Sequence, residues 1–384
     1  MSVELRPLGV RCNLACEYCY QNPQRDAGNV TRRYDLEAMK QAIVEEGGPF
    51  TLFGGEPLLV PKKDLEALWS WGLETFGENG IQTNGVLIDD DHLQLFRRCQ
   101  VQVGISMDGP GALNDLRRLG SLDRTRAATE KVERAIESLC SEGLPPSLIV
   151  TLHRGNAALA MLPRMCAWFR ELESMGVRAV RLHLLESENE SVRAAYALTP
   201  EENIAALRCF ADLETELEYL RFDVFSEVRR LLVGDDRDAT CVWRACDPYT
   251  TAAVRGVEGF GQRSNCGRTN KLGIDFVKSA SAAYTRYLVL YQLPQEHGGC
   301  QGCRFFLMCK GHCPGTALEG DWRYRTEHCE TWKALFSDAE ARVTADGSTP
   351  WSLHPERSVI EEQMVEAWTQ GRNPRLHDVI QAIE

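Results

Sequence analysis

The segment Cys12-Asn13-Leu14-Ala15-Cys16-Glu17-Tyr18-Cys19-Tyr20 sets three thiols at C-x3-C-x2-C spacing inside one short loop. Thiols so close in sequence can face a common centre. Three thiolates on a cube of four irons leave one iron without a protein ligand, open to a small chelating molecule. A structural zinc site is closed by four ligands, and this loop supplies three. Iron–sulfur clusters are held by Cys thiolates at short local spacings of this kind.

On either side of the loop, short apolar runs alternate with longer amphipathic stretches, the pattern of βα units around a parallel sheet. Strands are expected at 3–8, 49–53, 80–83, 101–106, 147–152 and 179–185, with helices at 36–46, 63–76, 90–99, 125–142 and 157–175. Six units are too few for the closed eightfold barrel. Each strand end carries polar or glycine-rich chemistry. The first runs into Cys12, and the second into Phe53-Gly54-Gly55-Glu56-Pro57, where paired glycines admit a close backbone approach. The third ends in Gln82-Thr83-Asn84-Gly85 and the fourth in Ser106-Met107-Asp108-Gly109. The fifth leads to His153-Arg154-Gly155-Asn156. The sixth carries Arg181 and His183 on one face by period-two spacing, then Leu184 and Glu186. Taken singly, each of these ends is an ordinary turn; in register they mark one rim.

Composition bounds the rest. The 384 residues carry a formal net charge of −12, which argues against a nucleic-acid or anionic-membrane surface. No window is apolar over a bilayer's width, and residues 1–8 lack a secretory layout. A cytoplasmic protein is expected, and fifteen cysteines there argue for metal ligation over disulfides.

With Tyr18 in the aromatic place, C-x3-C-x-aromatic-C resembles the signature of the radical S-adenosylmethionine (SAM) superfamily. The resemblance implies an α/β fold with a partial (β/α)6 barrel. It implies a [4Fe–4S] cluster on Cys12, Cys16 and Cys19, whose open iron SAM chelates. Reductive cleavage then yields a 5′-deoxyadenosyl radical that abstracts hydrogen from a substrate. Tyr18, Gly54, Gly55, Glu56, Asn84, Ser106, Arg118 and Leu184 are the implied SAM contacts, with Glu56 toward the amino group and Leu184 offering backbone to adenine. Arg124 and Arg126 stand beside Arg118 as alternatives for the carboxylate.

Beyond Thr199-Pro200-Glu201-Glu202, a helix start, the pattern is helical to Leu232, with Glu214, Glu216 and Glu218 on a solvated face. Eight cysteines then lie between Cys241 and Cys329. Cys300-x2-Cys303-x5-Cys309-x3-Cys313, followed by Cys329 and preceded by Cys246 and Gly261-x4-Cys266, resembles the SPASM extension of radical SAM enzymes. That resemblance implies two auxiliary [4Fe–4S] clusters, one on Cys241, Cys246, Cys266 and Cys313, the other on Cys300, Cys303, Cys309 and Cys329. Two four-thiolate zinc sites would satisfy the same spacings chemically. Cys99, Cys140, Cys166 and Cys209 are read as buried apolar residues. Domains are expected at 1–198 (barrel), 199–235 (helical bridge), 236–335 (SPASM) and 336–384 (a helical tail that caps the barrel or binds a partner).

SPASM proteins mostly modify peptides. Sulfatase maturases carry an Asp after the Cys of G-x4-C, and here that place is Gly267. The expected function is crosslinking of a ribosomally made precursor peptide, with an auxiliary cluster taking the electron and Asp247, Tyr249 or Glu186 the proton. The alternatives are formylglycine formation, peptide epimerisation and a non-catalytic zinc scaffold. Expected partners are the precursor, a one-electron reductant of flavodoxin or ferredoxin type, and a separate leader-recognition protein, since the chain starts directly in its first strand.

Overall fold

Alternation of buried and less buried positions along short β-branched runs builds the sheet. The strands are β1 (Val3–Arg6), β2 (Phe50–Leu52), β3 (Asn79–Thr83), β4 (Val101–Ser106), β5 (Ser147–Leu152) and β6 (Ala179–Leu184). Three short strands extend them: β7 (Arg221–Phe222), β8 (Arg255–Glu258) and β9 (Arg263–Ser264). The order is β7-β6-β5-β4-β3-β2-β1-β8-β9, parallel throughout except for the antiparallel β8–β9 pair. The computed structural model describes residues 3–28, 30–187, 189–246, 254–264, 266–269 and 283–383. Two compact units divide the chain: residues 1–223 with 255–276, and residues 224–254 with 277–384. Residues 255–276 therefore join the first unit, inside the stretch the sequence assigns to a separate 236–335 module.

In the first unit, Ile81, Ile105, Leu148, Val150 and Val180 are at most 2% exposed, each contributing about 1.5–3 kcal/mol by burial. Helices Leu36–Glu46, Lys62–Phe76, Asp90–Arg98, Leu122–Ser141 and Leu162–Met175 link the strands. Asp35, Asp89 and Ser121 cap three of them through backbone N–H groups. The helix expected from 157 to 175 is two, Arg154–Ala157 and Leu162–Met175, because Pro163 opens the second at its first turn.

Thr199 and Glu202 form a capping box at the start of helix Pro200–Glu216. The expected continuation to 232 fails at Leu217, which is extended. Phe222 packs its ring 4.9 Å from Phe169 and 6.0 Å from Phe210, and that core contact holds the chain as β7. Of the acidic run, Glu216 and Glu218 are exposed as expected, and only Glu214 turns partly inward. Glu214 accepts the Phe222 N–H at 2.6 Å, and Glu216 meets Arg170 at 2.6 Å.

β8 and β9 turn at Gly261, whose φ is +79° and whose added Cβ would stand 2.7 Å from the Ala38 carbonyl. Only glycine fits there.

In the second unit, Arg286 is fully buried and donates to the carbonyls of Lys310, Gly311, His312, Trp322 and Tyr324. The expected tail is part of this core: Trp368, 1% exposed, packs 5.1 Å from Tyr287 and 6.0 Å from Phe306. Asp236 accepts the Leu376 and His377 N–H groups. No helix among the described residues is long and apolar enough to cross a membrane.

Candidate metal and cofactor site

In the first unit the strand ends converge on the three-cysteine loop. Ala15 and Glu17 donate their N–H groups to the carbonyls of Arg118 and Leu116 at 2.8 and 3.0 Å, and Arg118 Nε reaches Glu17 Oε1 at 3.1 Å. Asn84 Nδ2 donates to Asn13 Oδ1 at 2.7 Å and lies 3.7 Å from Cys12 Sγ. Arg25 Nη2 lies 3.9 Å from Cys19 Sγ. Burial pushes the Cys12 thiol up to about 11 and Cys16 to about 12, with neighbouring thiols adding to both. Three crowded thiols in a low-dielectric loop lose their protons to a cation that takes up the charge. That donor set fits an iron–sulfur cluster.

Asp108 is the bracket beneath the loop. Its carboxylate, fully buried, accepts from Arg117 Nη2 at 2.9 Å, the Thr151 N–H at 3.0 Å and the Tyr18 hydroxyl. His153 Nε2 stands 3.7 Å away. Burial opposes ionisation, yet Arg117 and His153 hold the Asp108 carboxyl well below the usual range. The aromatic of the motif is thereby a hydrogen-bonded spacer between loop and sheet. The sequence marked Ser106, whose Oγ accepts from Gln82 Nε2 at 2.9 Å; Asp108, two residues on, does the holding.

Glu56 is likewise committed inside the protein. It accepts from the Leu58 N–H at 2.9 Å, Thr83 Oγ1 at 2.7 Å and the Asn84 N–H at 2.8 Å, joining the second and third strand ends. Burial nonetheless raises its carboxyl to about 7, against those three donors. Gly54 and Gly55 pack closely against the backbone of the cysteine loop's approach. Added Cβ atoms would stand 2.4 Å from the Gly9 carbonyl and 2.2 Å from that of Arg11.

The end of β6 has a different character. His183 is held neutral by burial and by Arg268, Arg181 and Arg117. Arg181 is exposed and pairs with Asp223, and Leu184 is buried. Glu186 accepts from Arg268 Nε at 2.8 Å. A Cβ at Gly267 would stand 3.2 Å from Tyr20 Cε2, 3.4 Å from Arg6 Nη1 and 3.7 Å from Gln21 Nε2. Gln21 is 4% exposed, and its Nε2 has no acceptor among the described residues. Arg6 is buried against Glu258 and Ser264. Sequence reasoning passed over Tyr20, Gln21 and Arg6; a cation ending the first strand, Val3–Arg6, ahead of Pro7 and Leu8 was the available signal. Asp247 and Tyr249 lie outside the described residues.

In the second unit, Cys300, Cys303, Cys309 and Cys329 line one cavity. Burial pushes the Cys300 thiol up to about 12 and Cys309 well above its ordinary value, each sensing its cysteine neighbours. Arg286, with no carboxylate partner among the described residues, lies close enough to oppose both shifts. A buried cation beside four thiols fits an anionic cluster. Of the cysteines read as buried apolar residues, Cys99 and Cys166 are buried while Cys140 and Cys209 are half-buried, and the Cys166 and Cys209 sulfurs stand 3.6 Å apart.

Residues 7–157 match the radical SAM superfamily. A serine-type anaerobic sulfatase-maturating enzyme of Klebsiella aerogenes is 32% identical over 207 residues, covering 51% of this chain and 49% of that protein. This match thus spans about half the relative's length. A cysteine-type anaerobic sulfatase-maturating enzyme of Clostridium perfringens (strain 13 / Type A) is 24% identical over 387 residues, covering 89% and 97%. Among solved structures, native anSMEcpe with bound AdoMet and Cp18Cys peptide aligns at TM-score 0.65 and 21% identity, over 90% of this chain and 98% of that one. Streptococcus suis SuiB bound to precursor peptide SuiA aligns at 0.54 and 14%, over 85% and 75%. Both structural likenesses are of fold.

Proposed function

Since residues 7–157 belong to the radical SAM superfamily, we propose that this chain is a SPASM-type enzyme that crosslinks a ribosomally made precursor peptide. Cys12, Cys16 and Cys19 would hold the SAM-binding cluster. Cys300, Cys303, Cys309 and Cys329 would hold one auxiliary cluster, and Cys241, Cys246, Cys266 and Cys313 the other. Bound SAM supplies a hydrogen-abstracting radical; the protein positions and shields it. Asp108 and Arg117 fix the loop that carries the three thiols, and Glu56 ties together the strand ends that would receive the SAM amino group. As the new bond closes, the substrate loses one electron and one proton. The Arg268 guanidinium on Glu186 disfavours protonation of that carboxylate, and Asp247 and Tyr249 are the other candidates. An external one-electron reductant and a leader-recognition protein complete the proposed partners, in a reducing cytoplasm.

The observation that carries crosslinking over formylglycine formation is Gly267. Where maturases place an Asp base, this chain has no side chain, and Tyr20, Arg6 and Gln21 crowd the position. The relatives' names favour the maturase reading, and their peptide-bound structures favour a peptide substrate in either case.

The test is mass spectrometry of anaerobic, reduced enzyme with SAM and two peptides: the short precursor encoded beside its gene, and a sulfatase-type peptide. Crosslinking predicts loss of two hydrogens from the precursor, with no fragmentation between the joined residues. An aldehyde trapped by hydrazine on the sulfatase peptide refutes it, as does unchanged mass with solvent deuterium incorporated.

A further inference from the structure

The cavity ringed by Cys300, Cys303, Cys309 and Cys329 is also lined by Arg325 and Trp332. Arg325 Nε and Trp332 Nε1 are buried, and neither has an acceptor among the described residues. A buried donor left unpaired costs about 1–3 kcal/mol. Two of them beside one cavity point to acceptors that the described residues do not provide. Neither side chain is free to turn toward water. The Trp332 ring, 5% exposed, stacks on His312 at 4.6 Å and meets Trp243 edge-on at 5.6 Å. Arg325 Nη1 donates to the Gly299 carbonyl at 2.8 Å and to the Gln295 carbonyl.

We propose that Trp332 Nε1–H and Arg325 Nε–H donate to the sulfurs of the iron–sulfur cluster held by Cys300, Cys303, Cys309 and Cys329, and raise its reduction potential. The inference rests on the auxiliary-cluster reading above. Its physics is direct. One-electron reduction adds a negative charge spread over the sulfurs, and N–H donors stabilise that charge more than the oxidised form. The electron in question is the one the substrate radical gives up as the crosslink closes, its proton going to a base. A higher potential makes that transfer downhill. Arg286 adds a buried positive charge nearby, but its donors are already spent on five carbonyls. The two unspent N–H groups are thus positioning residues for the sulfurs.

The experiment compares wild type, Trp332→Phe and Arg325→Lys, loaded anaerobically. Iron and sulfide are counted, and an EPR-monitored redox titration gives the midpoint. Phe keeps the aromatic packing without the N–H; Lys keeps the charge without the guanidinium Nε–H. The expected result is wild-type iron content with a lowered midpoint in each variant. About a tenfold change in the reduced-to-oxidised ratio at fixed potential is expected, about 59 mV for one electron. Full loading with an unchanged midpoint in both variants overturns the inference. So does loss of the cluster from both with the fold retained by circular dichroism, which would make the donors assembly elements. If Cys309→Ala leaves the iron content of wild type unchanged, the auxiliary-cluster reading itself is overturned, whatever the midpoints.

Discussion

Asp108→Asn is the sharpest perturbation of the site's framework. The wild-type carboxylate is fully buried, and the Arg117 side chain is 10% exposed. Removing the charge leaves a buried guanidinium without its counterion, a loss of about 3–5 kcal/mol when one partner of a buried pair is deleted. Asn can keep its oxygen toward Arg117 and the Thr151 N–H, but its amide then faces the Tyr18 hydroxyl, reversing that hydrogen bond. A value near 3 kcal/mol follows, or about 6–12 °C in the melting of a unit this size. Because the native carboxyl sits below its ordinary value, its stabilisation is present above about pH 3.9 and is lost as pH falls through the lower folded value. The gap between wild type and variant should therefore be flat from pH 6 to 8. The assay is differential scanning fluorimetry across that range, with Arg117→Met and the double variant completing a cycle whose coupling should exceed about 1 kcal/mol. A shift under about 2 °C, or additive single changes, would refute the bracket.

Glu56, raised to about 7 by burial, should lose its proton when a cationic amino group docks beside it. SAM affinity measured by calorimetry should then tighten as pH rises toward 7, by up to about tenfold per unit; Glu56→Gln should abolish that slope, and an equal slope contradicts the role. Cys309→Ala should leave uncoupled SAM cleavage while crosslinked product disappears; full product yield means the second unit is not part of the turnover. Gln21→Ala removes a buried donor with no partner among the described residues. It should weaken peptide binding about 5- to 30-fold, the equivalent of about 1–2 kcal/mol, while SAM cleavage without peptide is unchanged. Equal peptide affinity would show that the donor meets no substrate.

The six parallel strands were legible to within one or two residues, because buried apolar positions recur along each of them between turn signals. β7, β8 and β9 were not, being two to four residues long and mostly polar. β7 exists through Phe222 reaching Phe169 and Phe210, a contact between residues distant in sequence. The same limit hid Asp108: in sequence it is a turn residue, and its four partners come from positions 18, 117, 151 and 153. Gly54 and Gly55 also admit the backbone of residues 9–11, a close approach that no local pattern announces. Cysteine spacing worked well for the second unit's cavity because all four thiols lie within thirty residues. Arg286, which orders the loops around them, carried no local signature.

The central claim is that Cys12, Cys16 and Cys19 leave one iron open for SAM. Chromatography of the nucleosides released by anaerobically loaded, dithionite-reduced protein tests it most directly. The account predicts 5′-deoxyadenosine and methionine in equal amounts from wild type and none from Cys16→Ala. Wild-type protein with a full iron complement that releases no 5′-deoxyadenosine would contradict it.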